Sequence, residues 1–242
     1  MTLEICCPST GGHEAAVLSW VEHASQEHPL MVLDAIEGEQ AGYLQKVDFA
    51  TRSSHADILA FFHSDLIIHE DDWDLRVLKC FEDPDVAVAG FGGALRHGHP
   101  DLYRTPYDYR QLARDGWLSN LSDAEVHGTR ETGVREVAVV DSFSIIIRRS
   151  FLTRVGGWPV GEYPPSHVSD YWACCMAHKL GLKVMAIGVS CTHASGGVRG
   201  DGRFDYPKWI AGTKWGSDAN CHAIGHKLIY EQFRDVLPWE VK

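Results

Sequence analysis

The apolar run from Ile58 to Phe62 stops abruptly at His63, Ser64 and Asp65. An unbroken run of this kind suits a strand buried on both faces of a parallel sheet, because a strand with one wet face would alternate. Asp71, Asp72 and Asp74 then open a predicted helix whose apolar stripe is Trp73, Val77, Leu78 and Phe81. The acids sit at its positive end and Lys79 near its negative end. Asp83-Pro84 stops that helix, and Val86 to Ala89 returns as a short strand. Open α/β sheets bind ligands at the carboxyl ends of their strands. Asp65 therefore stands where chemistry is expected.

The residues before this stretch repeat its pattern. Leu3 to Cys7 reads as a strand, followed by the small-residue turn Pro8-Ser9-Thr10-Gly11-Gly12, which is able to bring backbone N–H groups close to a ligand. A helix from about His13 carries Val17, Trp20, Val21 and Ala24 on one face. Leu30 to Leu33 reads as a second strand, with Asp34 and Glu37 just past its end. A helix near Tyr43 to Ser54 turns Leu44, Val47 and Thr51 inward. Seven elements, strand and helix in alternation, thus precede Gly90 without the G-x-G-x-x-G of a dinucleotide fold, and predict an α/β domain with a mostly parallel central sheet flanked by helices.

From Leu95 to Arg135 the periodicity dissolves into histidines, arginines, tyrosines, glycines and prolines, as in a functional loop or lid. Val137 to Ile147 predicts a further strand, interrupted by Asp141, Ser142 and Ser144; Arg148 and Arg149 lead into a short helix. Gly156 to Pro159 and Tyr163 to Pro165 form a rigid, aromatic bend. Ser169 is placed to cap a helix from Asp170 to Leu180, which Gly181 closes. Lys183 to Val189 is the last predicted strand, running into the His193 loop, and a terminal helix spans about Ile224 to Val236. No repeat or linker divides the chain, which reads as one domain over residues 1–242.

No stretch approaches the ~20 apolar residues of a membrane span. The N-terminus lacks the basic start and apolar core of a signal peptide, so a cytoplasmic protein is expected. Seven cysteines, an odd number without C-x-x-C spacing, suit buried free thiols. A net charge of -11 disfavours a broad grip on nucleic acid.

Three stretches in order resemble family-2-type glycosyltransferases of the GT-A fold: ADILAFFHSDLIIHEDDWDLRVLKCFEDPDVAVAG, VVDSFSIIIRRSFLTRVGGWP and SDYWACCMAHKLGLKVMAIGVSCTHASGG. They correspond to the strand and D-x-D-type motif, the acceptor-side strand and turn, and the acid-led helix with its following strand and histidine loop. The resemblance implies a nucleotide-sugar-binding half over residues 3–94, an acceptor half over 95–197 and a tail over 198–242. It implies an inverting, non-processive transfer of one sugar from a nucleotide-diphosphate donor to an acceptor hydroxyl, assisted by Mn²⁺ or Mg²⁺. The acceptor class stays open among glycan, lipid-linked sugar, metabolite and modified nucleic-acid base.

Residue by residue, the resemblance gives Asp65 and His193 as metal ligands, Asp170 as the general base with Asp141 and Glu162 as substitutes, and Pro8, Ser9, Asp34 and Arg52 as nucleoside-side residues. Here His63-Ser64-Asp65 stands for the D-x-D, and three roles are open to His63: assisting the metal, meeting the diphosphate, or packing. Trp158 and Trp172 flank the base position, as core or as an acceptor platform. His222 and His226 have a zinc-capable spacing but lack the glutamate of H-E-x-x-H, and read as a solvated helix face; His97 and His99 carry less information. Rival readings are a sugar-nucleotide nucleotidyltransferase, against which the absence of Lys or Arg from Pro8–Gly12 counts, a noncatalytic nucleotide- or sugar-binding module, and a His-rich metal hydrolase, against which the lack of a tight ligand cluster in the sequence counts.

Overall fold

The computed structural model describes residues 1–37, 39, 41–98, 116–194 and 206–241. Its first half follows the sequence pattern: β1 (Leu3–Cys7), α1 (Glu14–Glu22), β2 (Leu30–Val32), α2 (Tyr43–Ser53), β3 (Ile58–Phe62), β4 (Leu66–Ile68), α3 (Trp73–Cys80) and β5 (Val86–Gly90). The middle holds β6 (Gly92–Ala94), β7 (Arg96–His97), β8 (Trp117–Ser119), α4 (Ala124–His127), β9 (Thr129–Arg130), β10 (Val134–Glu136), β11 (Val139–Val140) and β12 (Ser144–Arg148). The remainder comprises α5 (Arg149–Val155), α6 (Ser169–Lys179), β13 (Lys183–Ile187), β14 (Cys191–His193), α7 (Tyr206–Ala211), α8 (Asp218–Gln232) and β15 (Trp239–Glu240).

Seven strands form the central sheet in the order β10-β13-β5-β12-β3-β1-β2. Strands β2, β1, β3, β5 and β13 run one way, while β12 and β10 run the other. The expectation of one strand over Val137–Ile147 is corrected. Asp141 to Phe143 make a turn, in which Ser144 N–H donates to Asp141 O and Phe143 N–H to Asp141 Oδ1. The two pieces separate into β11, in a small sheet beside β6, and β12, in the centre of the main sheet.

Both faces of β3 are dry. Leu59 and Phe61 point to a cluster with Leu44, Val47 and Trp172, and Ile58, Ala60 and Phe62 to one with Trp20, Trp73 and Phe91. Phe62 meets Trp20 and Trp73 edge-on at centroid separations of 5.3 and 5.4 Å. Burial of such a side chain contributes roughly 1.5–3 kcal/mol. The indole N–H groups remain satisfied, Trp20 Nε1 donating to Leu66 O and Trp73 Nε1 to Trp20 O.

Several local expectations change. Val21 on α1 is exposed. Asp74 is fully buried, accepting from Ser25 N, Ser25 Oγ and His28 Nε2, each at 2.8 Å, and so ties the loop before β2 to α3. Residues 116–135, read as loop, include β8, α4 and β9, with β8 antiparallel to β6. Residues 99–115 of that segment, His99 among them, lie outside the described residues. Val168, with φ 58°, precedes α6 in place of the expected Ser169 cap, and α8 begins at Asp218, capped by Ser217 Oγ accepting from Asn220 N–H. All seven cysteines are buried free thiols. Among the described residues, no helix is long and apolar enough to cross a membrane.

Candidate active site

A cavity of about 280 Å³ opens at the carboxyl end of the sheet. Pro8 follows β1 there, and His63, Ser64 and Asp65 follow β3. Since β12 runs backwards, it presents its beginning, so Ser142 joins the same wall. Tyr43 and Lys46 enter from the first turn of α2, while His167 and Ser169 come from the turn into α6. The two sides are locked together, because Leu44 N–H donates to Pro165 O at 2.7 Å and any side chain at Gly42 would collide with Pro165.

At the cavity, β4 and β14 pair antiparallel, setting His193 opposite Leu66 and beside Asp65. His193 Nε2 lies 3.3 Å from Asp65 Oδ1, and one ligand atom each from His63, Asp65 and His193 fall within 4.8 Å of one another. Burial, and then the nearby His193, push His63 down to about 4, so its ring is neutral at neutral pH. Burial alone would raise Asp65, yet the hydrogen bond and charge of His193 hold it below the ordinary carboxylate value. The neutral ring of His63 and the ionised carboxylate of Asp65 are in the states a metal requires. Two nitrogens and one oxygen suit Mn²⁺ and its transition-metal neighbours better than Mg²⁺, which favours oxygen. The triad fits a divalent ion.

Lys46 is not among the residues that the sequence singles out. It is 2% exposed, and its Nζ donates to Ser9 O at 2.5 Å. Burial, partly offset by Asp34, lowers it to about 8, which leaves a cation at the cavity at neutral pH. Tyr43 was also missed. Its buried hydroxyl has no hydrogen-bond partner among the described residues, and burial followed by the charge of Asp170 raises its pKa strongly. Ser169 Oγ on the opposite wall is likewise buried and unpartnered. Both hydroxyls belong to residues that line the cavity, and a buried polar group without a partner calls for one.

The other sequence-predicted residues divide. Ser9 is buried behind the wall, where its Oγ accepts from Gly11 N–H and meets His13 Nδ1. Asp34 lies past the end of β2, 3.7 Å from His13 Nδ1. Arg52 pairs with Asp48 on the outer face of α2 and does not line the cavity. Asp170 is 4% exposed, directly behind the lining residue Ser169, and its Oδ1 accepts from Tyr171 N–H. Asp141 precedes the lining residue Ser142 and acts electrostatically on both His63 and Tyr43. Glu162 is exposed in the bend after Pro159 and outside the cavity wall.

Trp158 and Trp172 pack against each other in the core at 5.8 Å rather than offering an acceptor platform. His226 is also buried, against Tyr171, which corrects the solvated-face reading of His222 and His226. The helix turns this face toward the aromatic core, and the absent glutamate said nothing about burial.

No protein-family model and no curated protein matches the sequence. Among solved structures, the chain is similar to GalNAc-T7 crystallised with UDP, GalNAc and Mn²⁺, at 11% identity and a TM-score of 0.52 over 80% of this chain and 44% of that one. It is also similar to the mannosyltransferase PcManGT from Pyrobaculum calidifontis in complex with GDP-Man and Mn²⁺, at 14% identity and a TM-score of 0.48 over 94% and 69% of the two chains. The chain thus spans less than half of GalNAc-T7. Its sheet, its strand-end site and this likeness give it the GT-A-type fold of glycosyltransferases.

Proposed function

We propose that the protein is a metal-assisted glycosyltransferase that moves one sugar, with inversion, from a nucleotide-diphosphate donor to an acceptor hydroxyl. The observation that carries this reading is the His63–Asp65–His193 triad at the strand ends of a GT-A-type fold, beside the cation of Lys46. A cavity of about 280 Å³ lies just below the usual range of small-molecule sites. It accommodates the diphosphate and sugar of a donor, with the nucleoside extending past Pro8 toward Asp34.

His63, Asp65 and His193 would hold Mn²⁺ or a similar ion, which when bound neutralises the departing diphosphate. Lys46 adds a second positive charge on the same side. The hydroxyls of Tyr43 and Ser169 offer hydrogen bonds to donor oxygens. Asp170 takes the proton from the acceptor hydroxyl while that oxygen bonds to the anomeric carbon. The bond from that carbon to the diphosphate oxygen breaks, and the leaving group keeps the electron pair. Attack on the face opposite the diphosphate inverts the centre. Asp141, near His63 and Tyr43, is the substitute base.

The direct test is a thermal-shift screen over UDP-, GDP-, dTDP- and CMP-sugars with and without Mn²⁺, followed by NMR of the product anomer. A nucleotide sugar that stabilises the protein only with the ion, and yields inverted product, supports the reading. Nucleotide-sugar synthesis from a sugar phosphate would replace it with the nucleotidyltransferase. Ion-dependent binding without turnover, across acceptor classes, would leave a binding module.

A further inference from the structure

A second constellation lies at the rim of the cavity. Asp218 and His222 are one turn apart on α8, so their side chains rise from the same helix face. His167 reaches them from the turn before α6, its Nε2 2.7 Å from Asp218 Oδ1. Its ring stacks on His222 at 3.5 Å between centroids and 29° between planes. One ligand atom from each of the three falls within 4.8 Å of the others. The backbone makes this meeting possible. His167 and Val168 are successive non-glycine residues with φ of 71° and 58°, a conformation of left-handed type. Gly225 lets α8 press against that turn, where a Cβ would stand 2.8 Å from Val168 Cγ2.

The geometry points to a second divalent-metal site, formed by His167, Asp218 and His222, that clips α8 to the turn leading into Ser169 and Asp170. Two imidazoles and one carboxylate match the three-ligand sets that hold zinc with one position left for water or substrate. Zinc–ligand bonds of about 2.0–2.2 Å separate tetrahedral ligand atoms by roughly 3.3–3.6 Å, so the ligand atoms draw together by on the order of 1 Å and the two stacked rings turn out of their near-parallel planes to aim one nitrogen each at the ion. His167 also lines the cavity, which puts the ion at its edge. The site shares no residue with the first triad, although His167 lines the same cavity as Asp65, and it does not depend on the glycosyltransferase reading.

The test uses the full, tag-free chain carrying Asp65→Asn, which removes the carboxylate of the first triad. Stripped of metal and titrated with Zn²⁺ alone, it should bind one ion per chain and rise in thermal midpoint. Co²⁺ in its place should give the intense visible bands of a four-coordinate ion. Adding His222→Ala should weaken binding at least tenfold and abolish the thermal shift and the bands. If that variant misfolds by circular dichroism, Asp218→Asn, a change at a half-exposed position, carries the same expectation. Zinc binding unchanged by these substitutions, or no binding to the Asp65→Asn chain, would overturn the proposal. Loss of sugar transfer with this zinc site intact would bear only on the proposed function.

Discussion

Two triads of the same composition, each with two histidines and one aspartate, sit on different scaffolds. His63 and Asp65 lie between the fully buried β3 and the short β4, and His193 ends β14, which pairs with β4. His167, Asp218 and His222 join a turn to the first residues of α8, with the Asp218 side chain 52% exposed. Strand ends in a packed sheet hold ligands at fixed separations, while a helix held to a turn can shift. The first arrangement suits chemistry, which tolerates little displacement, and the second suits tethering.

The largest expected effect separates the triads outright. Asp65→Ala should abolish Mn²⁺-dependent donor binding and lower transfer by about 10³-fold or more, the several kcal/mol that a metal contributes. Calorimetry with and without Mn²⁺ checks it, and full metal-dependent binding in the variant would remove Asp65 from the site. Next, Asp170→Asn should bind nucleotide sugar normally and lose ~10²–10⁴ in rate, as expected for a lost general base. Transfer within a few-fold of the parent would move attention to Asp141. Lys46→Met should weaken donor binding by roughly 10–100-fold, the range of a charge-assisted hydrogen bond, with little change in ion affinity.

A smaller effect sharpens the contrast in donor atoms. His63→Asp should narrow the preference for Mn²⁺ over Mg²⁺ at the first triad, measured by competition, since it replaces nitrogen with oxygen. Acid titrations of either triad need folding controlled separately. Burial lowers His178 to about 4, despite its ring donating to Ala138 O. Its folded value lies below the unfolded ~6.5, so the unfolded chain takes up the proton first. Stability is retained above pH ~6.5 and lost as pH falls toward 4, by up to about 3 kcal/mol from this residue. Denaturant unfolding at pH 7.5 and 4.5 should show a smaller difference in His178→Gln than in the parent.

The sequence carried the first half of the fold well, because β1, β3 and β5 are short apolar runs and the helices between them have clear stripes. It carried the second half less well. Asp141, Ser142 and Ser144 interrupt the run from Val137 to Ile147, but nothing local tells that the chain turns there and re-enters the sheet backwards. Of the proposed ligands, Asp65 and His193 were legible to different degrees. Asp65 stands out at the end of a buried strand, whereas the approach of His193 depends on β14 pairing with β4, more than a hundred residues away in sequence. Lys46 and Tyr43 were hidden for another reason. A lysine and a tyrosine on an amphipathic helix look like surface, and only the docking of Pro165 against Gly42 turns that end of α2 into a cavity wall.

The reversed strand β12 also governs how the molecule is assembled. It separates β3 from β5 in the sheet, although those two are made first and lie close in sequence. Until residues 144–148 arrive, β3 has β1 on one side and an open apolar edge on the other, and β5 lacks both of its neighbours. The N-terminal ninety residues are therefore an incomplete folding unit. Closing the sheet waits on contacts of long sequence separation, a slow and aggregation-exposed step. A chain truncated after Gly90 should fail to fold alone, and a nascent chain stalled there should be a substrate for chaperones that shield strand edges.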